Sequence, residues 1–333
     1  MGGFSGPGVG ALVVTAALAL PSVVGAQTPS ATTPAPTPAP APAPAQTHAK
    51  LKLSLRRVQS AGVLAGTRWV VRGTLSPYVA GQSASVRFYR RGHKILVKGA
   101  AIQRRGSVGR FEVGMRATQP GAITVQATHR ATAALATAIA KPVRVEVLPL
   151  RATLGASGLA VRTLQRRLTR LGYVVGRRGL FDERTARAVL AFRKVTGMPR
   201  VYDAGESVFR ALAAGHGSFH VHFPRHGRHV EADISLQVLA LIDHGRAVRL
   251  YPTSTGSPVT PTVQGSFHVY SKTPGYNAKL MYYASYFIRG YAIHGYSSVP
   301  PYNASHGCLR VPIPDAVAIY DWVRYGTPVD VYQ

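Results

Sequence analysis

Only one cysteine, Cys308, occurs among 333 residues. No intramolecular disulfide can form, so buried apolar area rather than cross-linking must hold the fold. Acidic residues are scarce as well: 12 Asp and Glu stand against 40 Lys and Arg, a formal charge of +28. That excess favours polyanions of every kind, nucleic acid, anionic lipid and anionic wall polymer alike, and selects none of them. No basic helix with interleaved aromatics accompanies it, so no specific nucleic-acid interface is expected. Beyond the N-terminus no apolar run is long enough to span a bilayer.

What is present begins with an apolar run at residues 9–20, followed by Pro21 and by Val24-Gly25-Ala26. This pattern resembles an export signal over residues 1–26 cut before Gln27, although no Lys or Arg precedes the run. With no cysteine near the cut, a lipid anchor is excluded, and the expected location is the cell envelope. Residues 27–49 are rich in Pro and Ala and read as an extended, semi-rigid linker.

Residues 50–149 carry seven short runs rich in β-branched and aromatic residues, among them RWVVRG, ASVRFYR and AITVQAT, separated by turn signals such as Arg91-Gly92 and Pro120-Gly121. That spacing predicts a β-sandwich of immunoglobulin type, without the Cys…Trp…Cys signature. Residues 150–214 switch to helical spacing, with Val161, Leu164, Leu168 and Leu171 on one face and Gly172 ending the helix. Asp182 can cap a second helix, and Val208, Phe209 and Leu212 suggest a third. The expectation is a small three-helix bundle. The Leu and Val positions alone describe any such bundle. Leu164-Gln165, Leu171-Gly172-Tyr173, Gly179-Leu180-Phe181-Asp182 and Phe192, in that order, are more specific. Together they resemble the three-helix peptidoglycan-binding domain, with Arg193 where that family usually has Gln.

Residues 215–230 hold five histidines: His216, His220, His222, His226 and His229. Their spacing fits no common metal site, and a solvated linker is expected. Residues 231–333 read as mainly β. Ile234, Leu236 and Val238 alternate with polar residues as a strand; Asp243-His244-Gly245 is a turn; Val248 and Leu250 lie on a return strand. Residues 314–323 form a short helix and Pro328–Tyr332 a last strand.

The chemistry concentrates in Tyr291-Ala-Ile-His294-Gly295 and Ser305-His306-Gly307-Cys308-Leu309-Arg310. A thiol attacks only as thiolate, and a free pKa of about 8.5 leaves it mostly protonated at neutral pH. A nearby imidazole can take the proton and hold an ion pair. His294 and His306 are both candidates, His306 by sharing a face with Cys308 in an extended segment. Gly307 allows a close turn whose amides meet an oxyanion, and Arg310 can pair with a substrate carboxylate.

The complete string resembles the catalytic signature of the L,D-transpeptidase (YkuD) family. Ser254-Thr255-Gly256, Thr260-Pro261, Gly265-Ser266-Phe267, Met281-Tyr282-Tyr283 and Phe287-Ile288-Arg289-Gly290 extend the likeness over about residues 232–332. The Thr260–Gly265 run is slightly stretched and the His294–Ser305 segment short. The resemblance implies a multidomain chain ending in a mainly-β YkuD-type catalytic domain. It implies Cys308 as nucleophile and His294 as its base, oriented by a backbone carbonyl. Amides of His306, Gly307 and Cys308 would form the oxyanion hole, with Ser305 and His306 shaping the turn. Substrate would meet Arg310, Tyr282 and Gly295. The reaction implied is release of D-alanine from a peptidoglycan tetrapeptide stem through a thioester, then 3→3 cross-linking to a second stem. Water as acceptor would give an L,D-carboxypeptidase. A wall-binding protein without catalysis is the alternative of another class. No metal or organic cofactor is implied. Expected partners are peptidoglycan stem peptides and glycan, with anionic wall polymers besides, and nothing points beyond a monomer.

Overall fold

The computed structural model describes residues 45–59 and 62–333; the expected export signal and most of the expected Pro/Ala linker lie outside these. Residues 45–333 form one compact unit. Its first part is built of strands β1 (Lys50–Arg56), β2 (Gly62–Leu64), β3 (Arg68–Ser76), β4 (Ser83–Arg90), β5 (His93–Ala101), β6 (Gln103–Arg105), β7 (Val108–Arg116), β8 (Gly121–His129), β9 (Ala138–Ile139) and β10 (Val143–Leu148). All seven runs seen in the sequence are strands. They make two sheets, β1-β3-β7-β6 and β2-β10-β8-β4-β5, with β9 against β8. Strict alternation in β3 turns Trp69, Val71 and Leu75 inward. They share a core with Val86, Phe88, Ile123 and Val125 of the opposite sheet. Trp69 meets Phe88 edge to face at 6.0 Å, joining the two sheets at the centre.

Three helices follow: α1 (Leu159–Arg170), α2 (Glu183–Val195) and α3 (Glu206–Ala214). Asp182 caps α2 through the Thr185 amide, as its position before the apolar-periodic run predicts. Gly172, at φ +91°, ends the first helical segment where a Cβ would lie 3.0 Å from the Ala247 carbonyl oxygen. The helical unit is thereby brought against the next region, and the Leu250 amide donates to the Gly172 carbonyl.

That region holds β11 (His229–Asp233), β12 (Val238–Asp243), β13 (Arg246–Pro252), β14 (Gly265–His268), β15 (Ser271–Tyr276), β16 (Tyr282–Ile288), β17 (Tyr291–Tyr296), β18 (Leu309–Pro312), α4 (Ile313–Trp322) and β19 (Pro328–Tyr332). Its sheets run β13-β12-β11-β19-β14 and β15-β16-β17-β18. They enclose, with α4, a core that includes Leu239, Leu241, Tyr251, Ile293, Leu309 and Ile319. The other face of β12 and β13 is covered by the helices: Val238, Ala240, Ile242 and Leu250 belong to the same core as Leu164, Val189 and Phe192. Strand β12 is therefore buried on both faces, which accounts for its unbroken apolar run Val-Leu-Ala-Leu-Ile.

Two expectations need correcting. Residues 234–237 are a turn and not a strand. Asp233 accepts from the Ser235 hydroxyl and the Leu236 amide, which bends the chain before β12 begins. The histidine-rich segment is also less free than a solvated linker. His216, His220, His222 and His226 are exposed, but Phe219 is buried and His229 is wholly buried in β11. Glu231 fastens the segment by accepting from the amides of His222 and Phe223, and its carboxylate lies 3.1 Å from His229 Nε2. Burial would raise the Glu231 pKa, but these hydrogen bonds bring it below its ordinary value. Among the described residues no group of His, Cys, Asp and Glu has the arrangement of a metal site.

Candidate active site

Strands β17 and β18 run parallel with Ile293 opposite Leu309 and His294 opposite Arg310. Paired residues of adjacent strands project to the same side, and residues two apart do so as well. Cys308 lies just before β18, and His294 and Arg310 share one side of the sheet. All three line a cavity of about 400 Å³ together with Lys279, Met281, Arg289, Gly290, Tyr291, Tyr296, Ser305 and His306.

The approach to Cys308 is a bend over residues 306–308 rather than an extended segment. His306 is exposed there, so alternation along a strand does not pair it with the thiol. The Ser305 hydroxyl closes the bend by donating to the Cys308 carbonyl at 2.7 Å and accepting from the Gly307 amide at 3.1 Å. Gly307 has φ +106°, and a Cβ there would lie 1.9 Å from the Tyr291 ring. Only glycine meets both demands.

His294 is 3% exposed, and its Nδ1 lies 2.9 Å from the Gly295 carbonyl oxygen. A carbonyl only accepts, so Nδ1 carries the proton and Nε2 is left with its lone pair. Burial lowers the imidazole pKa to about 4, Arg310 adds to the shift, and the Gly295 bond opposes it. Burial raises the thiol of Cys308, against the pull of the Ala292 amide and the charges of Arg310 and Lys279. Both shifts favour the uncharged forms, a thiol and a neutral imidazole. The enclosed pocket penalises charge on either group.

Arg310 lies over the Tyr296 ring at 4.2 Å and donates to the Ala304 carbonyl at 3.2 Å. Its planar cation is held in place at the cavity wall. Tyr282 and Gly295 are elsewhere. A Cβ on Gly295 would meet the Ala316 side chain of α4 at 2.7 Å, and Tyr282 packs on the core beneath the sheet. Both face away from the cavity, and neither is among its lining residues. Gly295 serves the site through its carbonyl alone. Sequence reasoning misses Tyr296 and Lys279. Tyr296 is two residues from His294 and so shares its side of β17; Lys279 lies in a turn and carries no such signal.

A mainly-β domain whose only thiol shares an open cavity with a neutral histidine and a fixed arginine has the makings of a cysteine acyl-transfer enzyme. Residues 227–331 match the family model of the L,D-transpeptidase catalytic domain, and residues 157–201 match that of a peptidoglycan binding domain. Among solved structures, the L,D-transpeptidase of Xylanimonas cellulosilytica is 33% identical; the alignment covers 56% of this chain and 98% of that one, with a TM-score of 0.50. An L,D-transpeptidase of Enterococcus faecium is 25% identical over 32% of this chain and 50% of that one, TM-score 0.29. One from Stackebrandtia nassauensis is 21% identical over 55% and 96%, TM-score 0.36. Among curated proteins none matches. The chain belongs to the L,D-transpeptidase (YkuD) family.

Proposed function

We propose that the protein is a peptidoglycan L,D-transpeptidase that forms 3→3 cross-links through a thioester on Cys308. The observation that carries this is a single cavity lined by Cys308, His294 and Arg310, the last two paired across β17 and β18. Cys308 Sγ attacks the carbonyl of the third stem residue while its proton passes to His294 Nε2. The oxyanion rests on amides of the bend. The Gly307 amide is turned to Ser305, so those of His306 and Cys308 are the proposed donors. The bond to D-alanine breaks as His294 protonates the leaving amine, and a thioester remains. The side-chain amine of a second stem then attacks, gives its proton to His294, and frees the thiol. Arg310 pairs with a substrate carboxylate.

The 157–201 match supports peptidoglycan as the ligand of the helical unit. The two-sheet region is proposed as an immunoglobulin-like spacer. The exported location, the domain boundaries, anionic wall polymers as further partners and the monomeric state belong to the same reading. Mass spectrometry of a disaccharide-tetrapeptide incubated with the protein tests it. Loss of D-alanine with a 3→3 dimer supports the transpeptidase, and a tripeptide without dimer supports the carboxypeptidase. An unchanged tetrapeptide sinks both and leaves a wall-binding protein.

A further inference from the structure

Lys194 belongs to α2 of the helical unit, yet it is 2% exposed. Its Nζ donates to the carbonyls of Gln237 at 2.8 Å and Thr253 at 3.1 Å, both outside that unit. Those carbonyls open onto a run of buried bonds that ends at the cavity. The Gln237 side chain holds Thr255 at both its hydroxyl and its amide. The Thr255 carbonyl accepts from the amides of Ala304 and Ser305. The Thr253 hydroxyl donates to the Arg310 carbonyl at 2.7 Å, and Ser254 exchanges backbone bonds with Arg310. The bend that presents Cys308 and the start of β18 thus hang from residues 253–255, and Lys194 grips those residues from behind.

We propose that Lys194 is a positioning residue for the reaction, so that the helical unit fixes the geometry of the Cys308 bend as well as meeting the wall. The proposal rests on Cys308 as nucleophile. A buried amine is a costly way to glue two apolar surfaces, since a methionine of similar length would pack there without desolvation. What the amine does that methionine cannot is donate to two converging carbonyls. One of them belongs to Gln237, a non-glycine residue at φ 58°. Such a backbone persists only where its surroundings over-determine it, and such positions cluster at functional sites. Arg200 adds a second tie from the same unit, donating to the carbonyls of Ser235 and Pro301.

Because Cys308 is the only cysteine, iodoacetamide reports on the bend without interference. Lys194→Met and Thr253→Val are compared with the wild-type full chain at a temperature where each is folded by circular dichroism. Thr253→Val keeps the carbonyl for Lys194 and removes only the bond to Arg310. We expect Lys194→Met to lower kcat on the tetrapeptide and the alkylation rate of Cys308 together, by about tenfold or more, with KM much less affected. Thr253→Val should lower both by about threefold with a nearly native melting temperature. If the folded variants keep kcat and alkylation within about twofold of wild type and only the melting temperature falls, Lys194 merely docks the helices and the proposal is wrong. Should Lys194→Met fail to fold, Lys194→Gln takes its place in the same comparison. Should the wild type transfer no acyl group, the Cys308 reading fails, and the alkylation rate still tells whether Lys194 shapes the bend.

Discussion

The two regions that precede the catalytic one join the molecule in different ways. The two-sheet region closes a core of its own and gives mainly Leu64 and Leu148 to the neighbouring one. The helical unit has no core apart from the catalytic sheet: Leu164, Val189 and Phe192 pack with Val238, Ala240, Ile242 and Leu250. Its arginines also reach α4, where Arg184 lies 2.6 Å and Arg187 3.5 Å from Asp315. A region with its own core can act as a spacer. One that shares its core with the catalytic sheet is part of the catalytic body, whatever else it binds.

The largest expected effect comes from cutting that shared core. A chain beginning at residue 215 should lose all activity and show no cooperative melting, because one apolar face of β12 and β13 meets water; a soluble, active fragment would break the comparison. Within the catalytic body, His294→Ala should lower kcat about 10²- to 10⁴-fold with the fold intact, measured by tetrapeptide turnover and circular dichroism. In the wild type, the imidazole is a base only while neutral. Its pKa is depressed to about 4, so kcat/KM should hold as pH falls through 6.5 and decline only near 4. The linked stability has the same sign. The unfolded imidazole binds a proton at about 6.5 and the folded one does not, so stability is lost as pH falls from there to about 4. An acid limb at 6.5 would mean that His294 is solvated in the working enzyme.

Asp315→Asn probes the helical contact on its own. Asp315 is 2% exposed but Arg184 is about one-third exposed, so solvent screens part of the pair. The loss expected in urea melts is about 2 kcal/mol. The smallest effect belongs to the other region. A chain beginning at residue 150 should keep kcat on soluble substrate within about twofold, with a modest fall in melting temperature from the lost Leu64 and Leu148 packing. A large fall in kcat would show that the sandwich too is part of the catalytic body.

Much of this was legible in the residues, and the exceptions have physical causes. Runs of β-branched and aromatic residues parted by turn signals marked the main strands of the two-sheet region, and cap and periodicity marked the helices. The string from Ser305 to Arg310 pointed to the site because each residue type has a separate task there. Gly295 and Tyr282 were placed at the substrate by likeness alone, although adjacency to His294 already puts Gly295 on the opposite side of the strand. The apolar run of β12 signalled burial on both faces, but alternation counted from Ile234 masked it, since the Asp233 turn resets the register. Lys194 had no signal. In the last turn of an amphipathic helix it reads as a solvated cation, and only the docked sheet makes it buried.

The most direct test of the central claim is the intact mass of the protein quenched during turnover of a tetrapeptide donor, followed by peptide mapping. The account predicts an adduct of the donor less D-alanine on the peptide that carries Cys308, absent from Cys308→Ala. Product formation by Cys308→Ala, or an adduct on any other residue, would contradict it.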